Sequence, residues 1–455
     1  MILNRITRYN APTARKEFSH WRGLEKDWNF AVDKKTTANL LSQDGITYTR
    51  ASLATYKDAS GDLASAASNE PAYEYNGSTS LGMRIEKGTT NIIRDTAMTN
   101  SGDWNESGAV WPGSGHIEGP DGVSDSGIKF EGATNTGSSY HAAWDNYILT
   151  TWSGGAHKNN WSASIYVKRG NCDYFGMAFA SAGKVGAAFD LSVMGVQSYA
   201  NCTASVEDVG NGWMRLKCEN LQNIANPSYG FFMITVSATS GGVWDDDGFG
   251  AWNQRSNDVA STGPTVPNHA FVFGPQYEDS TYCTSYIANP SRNASGSTRA
   301  DTVVSVIPDN FSFYNQSEGT FALEGRKLVA GSSALPTSLE VNDNSTSDTM
   351  GFNTSATKEQ FDVVDPSGSA TIEAGGHTGI GAFTKLAGAY AAGNYGVCRN
   401  GGTVVTNTLA HVPAVTQLHF GQSEHSGRRG DGHISRVRYY KRRLKNKQLK
   451  TLSNL

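Results

Sequence analysis

The stretch Trp161–Lys168, WSASIYVK, decides the fold class of this chain. Its apolar residues alternate with polar ones, which is the pattern of a β-strand with one buried face. The residues of that apolar face are Trp161, Ala163, Ile165 and Val167. Between Thr90 and about Arg292, similar short segments recur every roughly 10–20 residues with Gly or Asn between them, and this spacing predicts a β-sandwich.

Two sets of such segments divide the chain. Besides residues 161–168, the first set comprises Tyr174–Phe179, Val185–Leu191, Ala204–Val209, Trp213–Leu216, Gly230–Ser237 and His269–Tyr277. After a polar stretch, the second set comprises Thr302–Ile307, Gly319–Glu324, Ser338–Val341, Met350–Asn353, Gln360–Val364, Ala382–Tyr390, Tyr395–Arg399, Gln417–Phe420 and His433–Tyr440. Four leucines at near-helical spacing follow in residues 441–455. The sequence therefore predicts an all-β chain of two β-sandwich domains in series, with a short C-terminal helix.

The composition favours the same fold class. Glycine contributes 50 of 455 residues, charged residues 18% and aromatic residues 10%. Abundant glycine and aromatic residues with little charge are typical of short strands joined by tight turns. A helical bundle or coiled coil would need an excess of Ala, Glu, Lys and Leu, which is absent.

The cysteines and the N-terminus predict synthesis in a reducing cytoplasm. The five cysteines are widely spaced and include no C-x-x-C pair, which argues against a disulfide framework and a thiolate zinc site. Met1–Leu3 is followed at once by Asn4 and Arg5, so we expect no signal peptide, and no apolar run has the length of a membrane span. We expect the cysteines to pack as small apolar residues.

The formal net charge of −4 is unevenly distributed along the chain. Residues 1–35 carry eight basic and four acidic residues, a net +4, and residues 425–450 carry ten and one, a net +9. The remainder therefore carries −17. Basic ends on an acidic body indicate either association with a partner or an ordinary solvated surface.

Short strands precede the first sandwich. Residues 45–60 alternate apolar and polar positions and predict one or two strands. Ala72–Tyr75 and Leu81–Glu86 flank Asn76–Gly77, a dipeptide typical of β-hairpin turns. We therefore expect a hairpin region between an N-terminal arm and the first sandwich.

The stretch ITYTRASLATYKDASGDLASAASNEPAYEY (46–75), followed by SLGMRIEKGTTNIIRDTAM (80–98), resembles a block common in bacteriophage virion proteins. Such proteins show a T-R-A-S-x-A-T-Y-x-D-x-x-G core. An apolar strand follows that begins with glycine and contains a pair of charged residues, and the motif T-N-x-x comes after it. The resemblance continues through SASIYVKRG (162–170), FDLSVMGV (189–196), ASVEDVGNGWMRLKCE (204–219), FVFGPQYEDSTYCTSYIANP (271–290) and TRADTV (298–303). The block is similar to a phage jelly-roll domain of the carbohydrate-binding-module type.

The rest of the chain is similar to the concanavalin A-like (laminin G-like) domains that follow such blocks. The matching pieces are SEGTFALEGR (317–326) and GHISRVRYYKRRLKNKQLKTL (432–452). The resemblance covers roughly residues 45–455 and implies three parts: a β-hairpin connector (45–90), a carbohydrate-binding-module-like β-sandwich (91–292), and a concanavalin A-like β-sandwich with the terminal helix (293–455). The N-terminal docking arm (1–44) that precedes them is predicted from its basic charge and its aromatic residues.

The resemblance also implies a function. It predicts a structural component of a bacteriophage particle, a tail fibre or a head or tail appendage, that displays glycan-binding domains for host attachment. The alternatives are a virion-associated polysaccharide-degrading enzyme and a purely structural capsid decoration protein. The expected location is the virion, assembled in the cytoplasm of the bacterial host.

Motifs for catalysis are missing from the sequence. There is no G-x-S-x-G elbow, no phosphate-binding glycine loop, and no E-x-D-x-x-E string of the kind common in concanavalin A-like hydrolases. Carboxylate pairs for glycoside hydrolysis could come from Glu207 with Asp208 or from Asp245–Asp247. Because Glu207 and Asp208 flank an Asn-Gly turn, a structural role is favoured for them. We expect no enzymatic activity.

The segment GVWDDDGFGAWNQ (242–254) is the predicted ligand-binding segment. Acids between two Trp can offer polar partners to sugar hydroxyls beside a stacking ring, or oxygen ligands to Ca²⁺. The alternative is an exposed acidic loop whose Trp side chains pack in the core. The predicted carbohydrate-binding residues are Trp244, Asp245, Asp246, Asp247 and Trp252. Asp245 and Asp247 are the calcium-ligand candidates, and no other cofactor is expected.

The C-terminal run RVRYYKRRLKNKQLK (436–450) supports two hypotheses. Basic residues around Tyr439 and Tyr440 could hold phosphates and stack bases of a nucleic acid. The same residues also follow ordinary strand alternation, which favours a solvated face or a protein contact. We therefore expect no nucleic-acid partner, and no membrane partner.

The N-terminal arm is the predicted docking segment. It is basic and holds aromatic residues without a strand or helix period, and aromatic residues and Arg anchor interfaces. The predicted docking residues are Arg8, Phe18, Trp21 and Trp28. The competing anchor is the basic C-terminal run. Expected partners are other virion proteins (capsid, portal or tail), host-surface glycans and further copies of the chain, with a trimer for a fibre-like appendage.

Overall fold

The fold is seen in a computed structural model that describes residues 23–98, 103–107, 109–110, 115–132, 142–145, 161–180, 185–222, 230–237, 268–289, 296–328, 337–355, 357–376, 382–421 and 430–454. These residues form antiparallel strands and two short helices, α1 (Thr37–Asn39) and α2 (Asn446–Leu452). A π-helical turn at Leu40–Asp44 follows α1, and Pro308–Asn310 forms a 3-10 turn. The predicted all-β fold and the C-terminal helix are confirmed. No helix in the described ranges has the length and apolar composition to cross a membrane.

The chain divides into two compact units. The central sandwich consists of Lys34–Ala38 and the described residues of Tyr48–Val303. The terminal sandwich consists of Asn39–Thr47, the described residues of Val304–Leu455, and the described residues up to Asp33. In sequence, β2 (Thr47–Thr49) lies at the junction of the two units.

The central sandwich contains eighteen of the named strands. They are β3 (Ala54–Lys57), β4 (Leu63–Ala66), β5 (Tyr73–Asn76), β6 (Thr79–Ile85), β7 (Thr89–Asn91), β8 (Trp104–Ser107), β9 (Ala109–Val110), β10 (Ile128–Gly132), β11 (Ala142–Asp145), β12 (Trp161–Arg169), β13 (Tyr174–Ala180), β14 (Gly186–Asp190), β15 (Gly195–Ala200), β16 (Thr203–Gly210), β17 (Trp213–Leu221), β18 (Gly230–Ser237), β19 (His269–Glu278) and β20 (Ser297–Arg299).

Two antiparallel sheets enclose the core of this unit. One has the strand order β16-β17-β12-β19-β10-β9, with β7 attached to β19 and β20 to β7, and the other has the order β15-β14-β13-β18-β11-β8. The predicted inward face of residues 161–168 is confirmed, because Trp161, Ile165 and their neighbours pack in one apolar core with Phe175 and Ile234 of the second sheet. The β5–β6 hairpin turns at the predicted position, where Gly77 has φ +55°.

The terminal sandwich also has two antiparallel sheets. Its strands are β1 (Leu24–Trp28), β21 (Val303–Val306), β22 (Glu318–Lys327), β23 (Thr337–Asn342), β24 (Thr349–Thr354), β25 (Lys358–Asp365), β26 (Gly368–Gly376), β27 (Phe383–Ala391), β28 (Tyr395–Arg399), β29 (Val405–Asn407), β30 (Gln417–Phe420) and β31 (Gly432–Tyr440). Within this unit the strand orders are β29-β28-β27-β22-β31-β1 and β21-β30-β23-β24-β25-β26.

The two sheets of the terminal sandwich pack closely at one point. A Cβ on Gly388 of β27 would approach the rings of Phe352 and Phe361 to 2.7–3.0 Å, so only glycine fits there. On the other side of that sheet, helix α2 inserts Leu449 and Leu452 into a second apolar cluster. The leucine spacing in the sequence therefore marks the buried side of this helix.

Residues 24–28 form a strand of the terminal sandwich, which differs from the docking arm predicted over 1–44. Strand β1 pairs with β31, and Trp28 lies opposite Val437. The Trp28 side chain is 3% exposed, with its ring centroid 5.6 Å from that of Phe313 and 5.4 Å from that of Phe420. Its indole therefore packs in the core of this unit. Arg8, Phe18 and Trp21 lie outside the described residues.

Candidate functional site

The outward face of the β15–β8 sheet includes a row of small side chains on β13, β14 and β18. On these strands Phe175, Met177, Phe189, Phe232, Ile234 and Val236 point into the core. Because successive residues of a strand point to opposite sides, the residues between them lie on the outward face. This floor consists of Gly176, Ala178, Ala188 and Thr235, and we call it the Thr235 recess. Ala178, Ala188 and Thr235 are at most 4% exposed, so other atoms of the chain cover this floor.

Strand register places the recess residues side by side. Gly176 pairs with Ala188 on one side and with Thr235 on the other. In the next row, Tyr174 pairs with Asp190. Since neighbouring strands lie about 4.8 Å apart and outward rows repeat every second residue, the Tyr174 ring and the Asp190 carboxylate border the floor.

The Thr235 hydroxyl is the unusual polar group of the recess. It is buried, and its Oγ1 has no hydrogen-bond partner among the described residues. A buried hydroxyl without a partner costs about 1–3 kcal/mol, and such groups are rare in folded proteins. A ligand that offers a hydroxyl group would remove this cost.

The rim of the recess adds an aromatic ring and a carboxylate. Tyr174 is half-buried. Asp190 accepts hydrogen bonds through Oδ1 from the backbone N–H and the hydroxyl of Ser192, at 2.9 and 2.6 Å, while Oδ2 has no such partner in the described part of the chain. An uncharged floor with a few polar groups and one ring suits the apolar face and the hydroxyls of a sugar.

The predicted binding residues Trp244, Asp245, Asp246, Asp247 and Trp252 lie outside the described residues, and so does the predicted calcium pair among them. The chain that carries them leaves β18 at Ser237, which pairs with Tyr174 at the rim of the recess. Tyr174 and Thr235 are absent from the sequence prediction. The available signal was the alternation in YFGMAFA (174–180), where every large inward residue is followed by Gly or Ala.

The Glu207–Asp208 pair is not arranged for hydrolysis. Both residues lie in β16, so their side chains point to opposite sides of the sheet. Glu207 forms an ion pair with Lys217 at 2.5 Å, and Asp208 accepts the backbone N–H of Gly210 at 2.9 Å. Burial alone would raise the pKa of Glu207, but Lys217 and Arg215 lower it to about 2. The structural role expected for these acids agrees with these contacts.

The basic C-terminal run is largely engaged within the terminal sandwich. Arg436 forms an ion pair with Asp27 at 2.5 Å, and Arg438 forms one with Glu324. Tyr439 and Tyr440 are fully buried, so neither ring can stack on a base. Residues 436–440 therefore follow ordinary strand alternation within β31.

The residues behind the phage resemblance converge on one buried polar cluster in the central sandwich. Arg299 of TRADTV is fully buried and lies 3.4 Å from Glu86 of the GMRIEKGTTN segment. Arg299 also donates to the hydroxyl and the carbonyl of Ser285 and to the carbonyl of Lys87. Arg84 forms the second ion pair of Glu86, at 2.9 Å. The motif therefore stabilises the fold rather than forming a ligand site.

The same cluster controls the ionisation of its acids. Burial raises the pKa of Glu86, but Arg299, Arg84 and two hydrogen bonds from Ser285 outweigh burial and lower it to about 2. Burial raises the pKa of Glu278, which accepts three hydrogen bonds nearby. Glu86 is thus held as a charged partner of two arginines.

The outward face of the β21–β26 sheet in the terminal sandwich is polar. Its two buried acids are Glu340 and Asp362, which both lie opposite Gly351 on the strand between them. The exposed Glu373 of β26 lies opposite Gln360 on the same face. Asn353 and Gln360 donate to the Asp362 carboxylate at 2.9 and 3.1–3.2 Å. Sequence reasoning did not identify this face. Its buried members are Glu340, Asn342, Asn353, Gln360, Asp362 and Gln417, all at most 8% exposed.

No set of three His, Cys, Asp or Glu side chains comes together as a metal site within the described ranges. The described ion pairs and polar clusters are built from Arg, Lys and carboxylates, or from amides and carboxylates.

No protein-family model and no curated protein matches this sequence. Solved structures that align with parts of it include β-sandwich carbohydrate-binding modules. The Ruminococcus gnavus IT-sialidase CBM40 bound to α2,3-sialyllactose is 14% identical, with 31% of this chain and 84% of that chain covered and a TM-score of 0.28. Domain 4 of AbnA, a GH43 arabinanase from Geobacillus stearothermophilus, is 13% identical over 38% and 84%, with a TM-score of 0.29. The NanB sialidase from Streptococcus pneumoniae is 12% identical over 33% and 26%, with a TM-score of 0.28.

Proposed function

We propose that this chain is a non-enzymatic glycan-binding protein that uses the Thr235 recess as its binding site. The observation that carries the proposal is the buried, unpartnered Thr235 hydroxyl in a floor of Gly and Ala residues, next to the ring of Tyr174. Because Thr235 Oγ1 is buried, the atoms that cover it would have to move aside before a pyranose could lay its apolar face on the ring and place one hydroxyl against this oxygen. A second hydroxyl would donate to Asp190 Oδ2.

We further propose that the protein is a structural component of a bacteriophage particle, a tail fibre or an appendage, that attaches the particle to a host glycan. The sequence resemblance supports this step. The protein would assemble in the host cytoplasm with capsid, portal or tail proteins, as a homo-oligomer. We also propose that the glycan contacts the predicted carbohydrate-binding residues Trp244, Asp245, Asp246, Asp247 and Trp252, with calcium at Asp245 and Asp247. Its position and copy number in purified particles, measured by antibody labelling and mass spectrometry, test this step.

The glycan proposal predicts that Tyr174→Ala weakens binding by about tenfold or more, because about 1.4 kcal/mol of stacking would be lost. Thr235→Val preserves the shape but removes the hydroxyl, so binding should weaken while the melting temperature stays equal or rises. The measurement is titration of the intact chain against surface polysaccharides from candidate hosts.

Tyr199→Ala is the matched control. Tyr199 is 60% exposed in β15 of the same sheet, but pairs with the core-facing Ala187 and so lies on the other side. Its loss should leave binding unchanged. Wild-type affinity in both Tyr174→Ala and Thr235→Val would contradict the site, and a lower melting temperature in Thr235→Val would assign its hydroxyl a structural role.

A second candidate function is glycan hydrolysis at the polar face of the terminal sandwich. Glu340 and Asp362 lie on strands that flank β24, so their Cα atoms are about 10 Å apart. Carboxyl groups of glycosidases are separated by roughly 5–9.5 Å, a range that side chains on this backbone spacing can reach. The amides of Asn353 and Gln360 would position the Asp362 carboxylate for such a pair.

Hydrolysis would release reducing ends from the bound polysaccharide. If the activity resides here, Glu340→Gln and Asp362→Asn should each lower the rate by about 10²-fold or more. Glu373→Gln is the control, because this exposed residue of β26 pairs with Lys358 instead. If Glu207→Gln or Asp246→Asn abolished hydrolysis instead, the activity would reside at those residues. If no substrate released reducing ends, the protein would bind glycans without hydrolysing them.

A further inference from the structure

Two of the five cysteines form a contacting pair at one edge of the central sandwich. All five are free thiols. The Cys202 thiol donates to the backbone carbonyl of Gly186 at 3.3 Å, and its side chain packs beside that of Cys218 against the same core. Cys218 is fully buried in the core, and Cys202 packs against the same core while remaining partly exposed. The pair thus consists of one thiol that solvent can reach, Cys202, and one that it cannot, Cys218.

Strand register explains why the two sulfur atoms meet. Ala204 of β16 lies opposite Cys218 of β17, so Cys202 is the diagonal neighbour of Cys218 on the same face. Diagonal Cα atoms in a sheet are about 7–8 Å apart, and a disulfide needs at most about 6.8 Å, so the backbone must draw in by roughly 1 Å. A small approach suffices to close the bond. Cys202 precedes the first residue of β16 and follows Asn201, which has φ +52°.

The other three thiols lie elsewhere in the fold. Cys172, Cys283 and Cys398 donate to the backbone carbonyls of His269, Ala163 and Gly402 at 3.1–3.3 Å. Cys172 and Cys283 lie outside the named strands, and Cys398 lies opposite Ala387. These other thiols therefore serve as internal controls.

We propose that Cys202 and Cys218 are a redox-controlled disulfide site, reduced in a glutathione-rich cytoplasm and oxidised by a low-molecular-weight disulfide outside it. The Cys202 thiolate attacks one sulfur of oxidised glutathione, which forms a mixed disulfide and releases one glutathione thiolate. Cys218 then gives up its proton and attacks Cys202 Sγ, which releases the second glutathione. The protein loses two electrons and two protons, and the glutathione disulfide takes them up.

The order of attack follows from accessibility. Cys202 is partly exposed and can meet the oxidant, whereas burial raises the pKa of the Cys218 thiol and keeps it protonated until the mixed disulfide is next to it. The product closes a loop of about 16 residues over the β16–β17 hairpin, which restricts the unfolded chain. The oxidised central sandwich should therefore be the more stable form.

The experiment treats the intact protein with oxidised glutathione and measures its mass, its thiol content in denaturant and its disulfide-linked peptides. We expect the mass of two hydrogen atoms to be lost, two of the five thiols to disappear, and the peptides that contain Cys202 and Cys218 to be linked. The melting temperature should rise on oxidation and return after treatment with dithiothreitol.

Two variants make the result decisive. Cys202→Ser should neither lose hydrogen nor gain stability, and it changes a partly exposed residue that the fold tolerates. Cys172→Ser should still lose two hydrogen atoms. A stable glutathione adduct on Cys202, a link to another cysteine, or an unchanged mass after treatment would overturn the proposal.

Discussion

Replacing Arg299 by alanine is expected to lower the free energy of unfolding of the central sandwich by about 3–5 kcal/mol. The Arg299 side chain is fully buried and faces Glu86, which is itself buried and held in its charged form. Without the guanidinium, Glu86 would keep only Arg84 as its ionic partner, and the carbonyls of Ser285 and Lys87 would lose a donor. Urea denaturation, followed for the transition of the central sandwich, measures this loss.

The control for Arg299 is Arg169→Ala. Arg169 forms an ion pair with Asp173 at 2.5 Å, but both side chains are 40–49% exposed. Exposed pairs contribute about 0–1 kcal/mol, so this variant should unfold close to wild type. Equal, small losses in both variants would show that the buried cluster contributes no more than a surface ion pair.

Trp28→Ala is expected to lower the stability of the terminal sandwich by about 3–5 kcal/mol, because a fully packed indole would be replaced by a cavity. Two ring contacts with Phe313 and Phe420 would be lost together with the buried area. Thermal or urea denaturation of the terminal sandwich gives the measurement. Val32→Ala, at a side chain that is 63% exposed, should change stability by less than about 0.5 kcal/mol.

The position of β1 determines which deletion can test the docking arm. Deletion of residues 1–35 would remove β1 and its pairing with β31, so loss of particle assembly could follow from misfolding alone. Deletion of residues 1–22, or Trp21→Ala, leaves β1 intact. If docking uses the arm, either change should leave a folded protein that no longer joins the particle. A Trp28→Ala protein that unfolds like wild type would contradict the placement of β1.

Local patterns in the sequence were sufficient for the fold class. The alternation at Trp161–Lys168 identified the inward face of a core strand, and the leucine spacing near the C-terminus identified the helix. Both signals arise within a few residues of chain, where period alone separates strand from helix. The all-β prediction therefore required no knowledge of which strands pair.

Long-range pairing could not be predicted in this way. Strand β1 pairs with β31, and Asp27 meets Arg436 across most of the chain length. Arg299 and Glu86 are far apart in sequence and form their ion pair only in the folded chain, so no local sequence period indicates it. The Thr235 recess depends on register between β13, β14 and β18, which a single strand does not encode. The sequence prediction consequently favoured the acidic segment with its Trp residues, whose composition alone suggested a ligand.

A crystal structure of the intact chain with the host-surface oligosaccharide that it binds most tightly tests the central claim most directly. The account predicts a sugar ring against Tyr174, over Gly176 and Ala188, with one hydroxyl within hydrogen-bond distance of Thr235 Oγ1. A ligand bound instead at the polar face around Glu340 and Asp362, with the Thr235 recess unoccupied, would contradict it.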